Sequence, residues 1–164
     1  MIRVQFSKTE HEILVFIGKM RHAVTSALGT ERKQDQRQDG EQMAINGVLT
    51  EYAASKALNL HFDLNCDFRK FGADLVSRRG ATIDVKSTSQ AGGNLNAVSW
   101  SSGKPAEIFV LTEIHHAHVL IVGWIHRDDF LREENLRDVG NGSFYSVPQS
   151  KLNLFYEQES ATTL

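Results

Sequence analysis

Residues 71–88, FGADLVSRRGATIDVKST, read as two short β-strands, 73–77 and 81–88, parted by the turn residues Arg78, Arg79 and Gly80. On the second strand the two-residue period of a pleated chain sets Ala81, Ile83, Val85 and Ser87 on one face and Thr82, Asp84, Lys86 and Thr88 on the other. Asp84 and Lys86 therefore point the same way. An acid and a lysine among β-branched residues are costly on a covered strand unless that face opens onto a site, because buried charge without a partner is expensive. Asp74, on the first strand, brings a third charge to the hairpin.

The segment upstream reads as a helix over residues 42–58. Ile45, Val48, Leu49 and Tyr52 form one apolar stripe, and Gly47, Glu51, Ala54 and Leu58 form a second one of mostly small residues with a single acid. Glu51 is either a surface residue at the margin of that stripe or a buried acid with a cationic partner.

Glu51, then Asp74, nine intervening residues and Asp84-Val85-Lys86 resemble the core of the PD-(D/E)XK nuclease superfamily, whose pattern is a helix-borne glutamate, an acid, a hairpin turn and acid-x-lysine. Gly72-Ala73 stands before Asp74 where the superfamily has its proline, and the likeness covers residues 41–124, about half of the chain. The resemblance implies a restriction-endonuclease-like α/β (α+β) domain, with a central mixed β-sheet of about five strands flanked by α-helices. It also implies a metal-dependent DNA endonuclease that hydrolyses phosphodiester bonds, restriction-like or junction-resolving, of the sort that phages and mobile elements encode. Asp74, Asp84 and the carbonyl of Val85 would hold Mg²⁺, with Mn²⁺ as its substitute. Glu51 would hold a second ion, bind metal-coordinated water or orient Lys86. Lys86 would orient the attacking water and neutralise the phosphate, and acting as a base would require a depressed pKa. The alternative is a non-catalytic nucleic-acid-binding or regulatory protein that keeps the nuclease fold.

Candidates for DNA contact are Arg69, Lys70, Arg78 and Arg79 around the hairpin, Ser87, Thr88 and Gln90 at its exit, and Lys104 in the loop that follows. Contacts of this kind to the phosphate backbone set affinity and register. The other reading of Arg78 and Arg79 is a pair that solvates a turn. Cutting both strands of a duplex would call for two sites, hence a homodimer.

The chain of 164 residues fits a single domain over residues 1–164, large enough to bury its own core. A hydrophobic share of 41% against 23% charged residues excludes disordered and fibrous classes. A net charge of −2 gives no general attraction for nucleic acid, so any basic patch must be local. The longest apolar run, near residues 119–125, is far too short to cross a bilayer, and residues 1–12 lack the apolar core of a signal peptide. A lone Cys66 excludes an internal disulfide and reads as a packed residue. These features place the expected location in the cytoplasm, away from membranes.

The rest of the chain fills in the sheet. Residues 2–6 alternate as an edge strand; Ser7 with Glu10 is a capping box that starts a helix running to about Leu28; residues 30–41 are a polar linker. Residues 59–70 read as a first strand and its exit, with Asp63 as a reserve ligand. Residues 87–105 read as one long loop. Two apolar strands, 107–114 and 119–125, flank a turn at His115, His116, Ala117 and His118, whose histidines read as solvated more readily than as a zinc site. A short helix at 127–134, a strand at 144–147 and a short helix after Pro148 complete the reading.

Overall fold

The structure, a computed structural model, describes residues 1–29, 39–67, 72–99, 103, 105–138, 140 and 142–155. Helix α1 (Lys8–Ala27) begins on a reciprocal capping box: Glu10 N–H donates to Ser7 Oγ at 3.1 Å and Ser7 N–H to the Glu10 carboxylate at 2.7 Å. The same carboxylate accepts the Tyr52 hydroxyl at 2.8 Å and Lys56 Nζ at 2.6 Å. The start of α1 is thereby tied to helix α2 (Gly40–Leu58). Lys56 above all, then the Ser7 N–H and the Tyr52 hydroxyl, hold the Glu10 carboxyl down at about 2. Helix α2 starts two residues earlier than its apolar pattern suggests, because Asp39 caps it by accepting from Glu41 and Gln42 N–H.

The helices pack on each other through Leu14 and Ile17 of α1 and Ile45, Val48 and Leu49 of α2. Gly18 is the close-contact point. A Cβ there would lie 2.6 Å from the Ile45 Cα, inside the backbone of α2.

Strands β1 (Ile2–Val4), β2 (Leu75–Val76), β3 (Thr82–Thr88), β5 (Ile108–His115) and β6 (His118–His126) form a five-stranded mixed sheet in the order β1-β6-β5-β3-β2. β3 and β5 run parallel and the other pairs antiparallel. A smaller sheet, β4 (Leu95–Val98), β8 (Ser143–Val147) and β7 (Leu136–Asp138), accompanies it. On one face of the large sheet Ile83, Val110, Val119 and Ile121 pack against Ala53 and Ala54 of α2. On the other, Phe109, Leu111, Val122 and Ile125 pack against Leu95, Ala97 and Val147 of the small sheet and Phe130 of helix α3 (Arg127–Phe130).

The architecture is thus α+β with a five-stranded mixed sheet and helices beside it. Long helices cover one face, and a second sheet covers the other. The source is a strand within residues 87–105, which read as a loop: Leu95 and Ala97 alternate inward with Asn96 outward, a half-buried pattern too short to stand out. Residues 59–67 form no strand, because side chains take over their backbone groups. Asp63 Oδ1 accepts Asn65 N–H and Asn65 Oδ1 accepts Asp67 N–H, both at 2.8 Å, and Arg21 donates to the Asp63 and Asn65 carbonyls. The expected helix at 127–134 stops at Phe130, and β7 follows a short 3-10 turn. After Pro148 only a 3-10 turn, Gln149–Lys151, forms. The polar linker at positions 30–38 lies outside the described residues. No described helix is long and apolar enough to cross a membrane.

Gly18→Ala should lower the free energy of unfolding by about 1–3 kcal/mol in urea titration, because two backbones would have to separate. Glu10 makes stability depend on pH. Its folded pKa lies below the unfolded value of 4.5, so its contribution is complete above 4.5 and drains away as pH falls toward about 2. Urea midpoints of wild type and Glu10→Gln should therefore differ at neutral pH and converge across that acid window.

Candidate active site at the β2–β3 hairpin

The hairpin forms where the turn residues place it. Leu75 faces Ile83 and Val76 faces Thr82, and Gly80 takes the turn's left-handed position at φ 88°. β2 spans two residues, so among the described residues no strand pairs with the edge of β3 beyond Ile83. Asp74 occupies that edge. Its N–H donates to the Ile83 carbonyl at 3.0 Å, and its carboxylate accepts Val85 N–H at 2.7 Å. Alternate residues of a strand turn their backbone groups to the same side, so the Val85 carbonyl shares this open edge with the Asp74 carboxylate.

Asp84 and Lys86 project from the face opposite α2, beside Phe109 and Leu111 of β5 with which they pair in register. Asp84 is 2% exposed, and Lys86 Nζ forms an ion pair with Asp84 Oδ2. The Lys86 carbonyl accepts Thr112 Oγ1 at 3.1 Å, which fixes the strand at that level. Asp84 and Lys86 thus flank Val85 on the strand, and the Asp74 carboxylate holds the Val85 N–H. Two carboxylates and a carbonyl are hard oxygen donors, the ligand type that Mg²⁺ takes.

Glu51 is paired with α1. Arg21 of α1 donates to its carboxylate at 2.7 Å, with both side chains mostly buried. Ala53 and Ala54 take the sheet-facing side of α2 and Ile45, Val48 and Leu49 the α1-facing side, which leaves Glu51 on the flank that Arg21 reaches. The same guanidinium lies 5.6 Å from the Phe62 ring centroid and bonds the Asp63 and Asn65 carbonyls, so Glu51 serves to orient an anchor for residues 62–65. The described residues contain no group of three His, Cys, Asp or Glu side chains placed to hold a metal ion. Glu51, Asp74 and Asp84 therefore do not form a three-carboxylate cluster. Asp63, the reserve ligand, is occupied in its turn with Asn65.

Of the expected DNA contacts, Arg78 and Arg79 are exposed at the tip of the hairpin, Ser87 and Gln90 are exposed, and Thr88 is half-buried. Arg79 is seven residues from Lys86 along an extended chain, ~20 Å, so it can meet only a phosphate well removed from the acid-lysine pair. Arg69, Lys70 and Lys104 lie outside the described residues. His115 and His118 stack at 4.7 Å across the β5–β6 turn, and His115 Nε2 lies 3.2 Å from Glu113. Cys66 is half-buried against the helix interface, as a packed residue should be.

One acid escaped the sequence reading. Glu113, 5% exposed on β5, accepts Gly92 N–H at 2.8 Å and the Gln149 amide at 2.5 Å. Burial pushes its carboxyl up, and the bonds from Gln149, Gly92 and His115 outweigh that and leave it lowered. The available signal was its period: in EIFVLTEI it shares the inward face with Phe109 and Leu111.

Comparison with family models, curated proteins and solved structures returns no match. The distinction between a structural and a site role for Glu51 can be measured directly. Glu51→Ala should cost about 2–3 kcal/mol in urea titration, the loss expected for a mostly buried charged hydrogen bond, and should speed amide exchange in residues 62–66 more than in β3.

Proposed function

We propose that this protein is a metal-dependent nuclease of the PD-(D/E)XK kind, hydrolysing phosphodiester bonds of DNA at the edge of β3. The observation that carries the reading is the buried Asp84–Lys86 pair on one strand with the Asp74 carboxylate bonded to the N–H of the residue between them. A lysine paired with an acid inside a protein is poor evidence for stability, since an apolar pair of similar size often does as well. Its place on either side of Val85, whose N–H the Asp74 carboxylate holds, gives it a use in this reading.

In this reading Asp74, Asp84 and the Val85 carbonyl hold Mg²⁺ or Mn²⁺, and the bound ion supplies charge stabilisation for the phosphoryl oxygens and a more acidic water. Lys86, held by Asp84, keeps its ammonium directed at the same locus, where it orients the attacking water and offsets phosphate charge. Ser87 and Thr88 end the strand beyond Lys86 and Gln90 stands in the turn after it, and in this reading they grip the adjoining backbone. Arg78 and Arg79 contribute charge at the hairpin tip. Two-strand cutting would require a second copy of the chain.

A non-catalytic nucleic-acid-binding protein on the same framework is the second reading, and the pairing of Glu51 with Arg21 favours it, because that carboxylate already has a cationic partner. The two part in one experiment. Supercoiled plasmid and linear duplex are incubated with protein in Mg²⁺, in Mn²⁺ and in EDTA. Metal-dependent nicking or cutting is expected, falling about a hundredfold or more in Lys86→Ala and in the near-isosteric Asp84→Asn. DNA retained in a mobility-shift assay equally well with and without metal, and intact in every metal, would establish the binding protein instead.

A further inference from the structure

Glu113 lies on the same strand face as the acid-lysine pair and is not used by the chemistry above. Its register partner on β3 is Thr88, the next inward residue after Asp84 and Lys86. Beyond Thr88 the chain makes a tight turn before entering β4. Gln90 N–H donates to Thr88 Oγ1 at 3.1 Å, Gly93 N–H donates to the Gln90 carbonyl at 3.0 Å, and Gly92 takes φ 71°. Gly93 folds so closely back that a Cβ would lie 2.6 Å from Thr88 Oγ1. Such a turn has few apolar contacts of its own and needs an anchor.

Glu113 is that anchor, from two directions. Its Oε1 accepts the Gly92 N–H, and it also accepts the Gln149 amide, which in turn donates to the Gly93 carbonyl at 3.0 Å. A carboxylate is an acceptor only and a primary amide carries two donors, so this arrangement leaves no like-with-like contact. Past the turn, Leu95 and Ala97 of β4 come to lie over Phe109 and Leu111, the β5 residues beside Asp84 and Lys86. One carboxylate therefore sets the path by which the chain leaves the acid-lysine strand and returns across it.

The geometry points to Glu113 as a positioning residue that, with Gln149 as its bridge, fixes the turn at residues 89–94 and so sets how Ser87, Thr88 and Gln90 meet a DNA backbone. This rests on the nuclease reading and adds the element that governs substrate grip without touching the reacting atoms. In Glu113→Ala the KM for linear duplex should rise about tenfold with kcat within about threefold, since ground-state and transition-state binding are lost alike. Amide exchange at Gly92 should quicken by about tenfold or more as its acceptor disappears. Glu113→Gln keeps an acceptor oxygen for Gly92 and should stay within about twofold of wild type on both readouts.

Exchange protection at Val110 and Ile121 in the sheet core reports whether Glu113→Ala has folded. If it has not, Gln149→Ala removes the donor to the Gly93 carbonyl and leaves Glu113 in place; by loosening the turn it should quicken exchange of the Gly93 N–H, which closes the turn on the Gln90 carbonyl, and raise KM likewise. Faster exchange at the turn with unchanged KM would overturn the proposal, as would unchanged exchange or a fall in kcat alone. A wild type that cuts DNA while these variants cut it identically sinks this inference and leaves the nuclease standing; a wild type inert in every metal sinks both.

Discussion

Strand β5 has no face turned to water. Phe109 and Leu111 are fully buried on one side, Val110 is 1% exposed on the other, and both backbone edges are paired, with β3 and with β6. A strand so placed needs a cover on each face, and the two covers differ in kind. Small residues, Ala53 and Ala54, let α2 lie close on one side. Larger ones, Phe130, Leu95 and Val147, fill the space under the second sheet on the other. β3 inherits its register from this strand. A slip of one residue would carry Asp84 into the alanine-lined layer under α2 and turn Ile83 toward the second sheet, so the apolar pattern itself guards the position of the acid.

Asp84 is consequently a charge in an apolar neighbourhood, next to Phe109. Desolvation makes that costly, and the partner two residues along the same strand offsets it by standing on the same face. Lys86 keeps part of its side chain in solvent, 22% exposed, and is the member of the pair that can reach outward. Asp74 meets the strand from its edge and satisfies Val85 N–H where β2 has ended. Among the described residues β2 pairs with only Thr82 and Ile83, and a longer hairpin would have continued that edge with ladder hydrogen bonds.

The two remaining buried acids show how position in the fold reassigns similar chemistry. Glu51 orients Arg21, which pins a segment whose backbone has no strand partner. Glu113 pins the turn that follows β3. Glu51 through Arg21, and Glu113 directly, supply side-chain bonds to stretches of backbone that lack a ladder partner.

Local chemistry alone was enough to reveal the hairpin, the shared face of Asp84 and Lys86, the capping box at Ser7 and Glu10, and the two long apolar strands, because each depends on periodicity or on residues a few positions apart. The pairing of β4 with β8, the Glu51–Arg21 pair, the hold of Arg21 on residues 63–65 and the role of Glu113 depend on partners 21 to 56 residues away along the chain. No spacing rule reaches that far. An acid among apolar neighbours states only that some donor must meet it, and which donor does so is decided by helix packing and strand register once the core has formed.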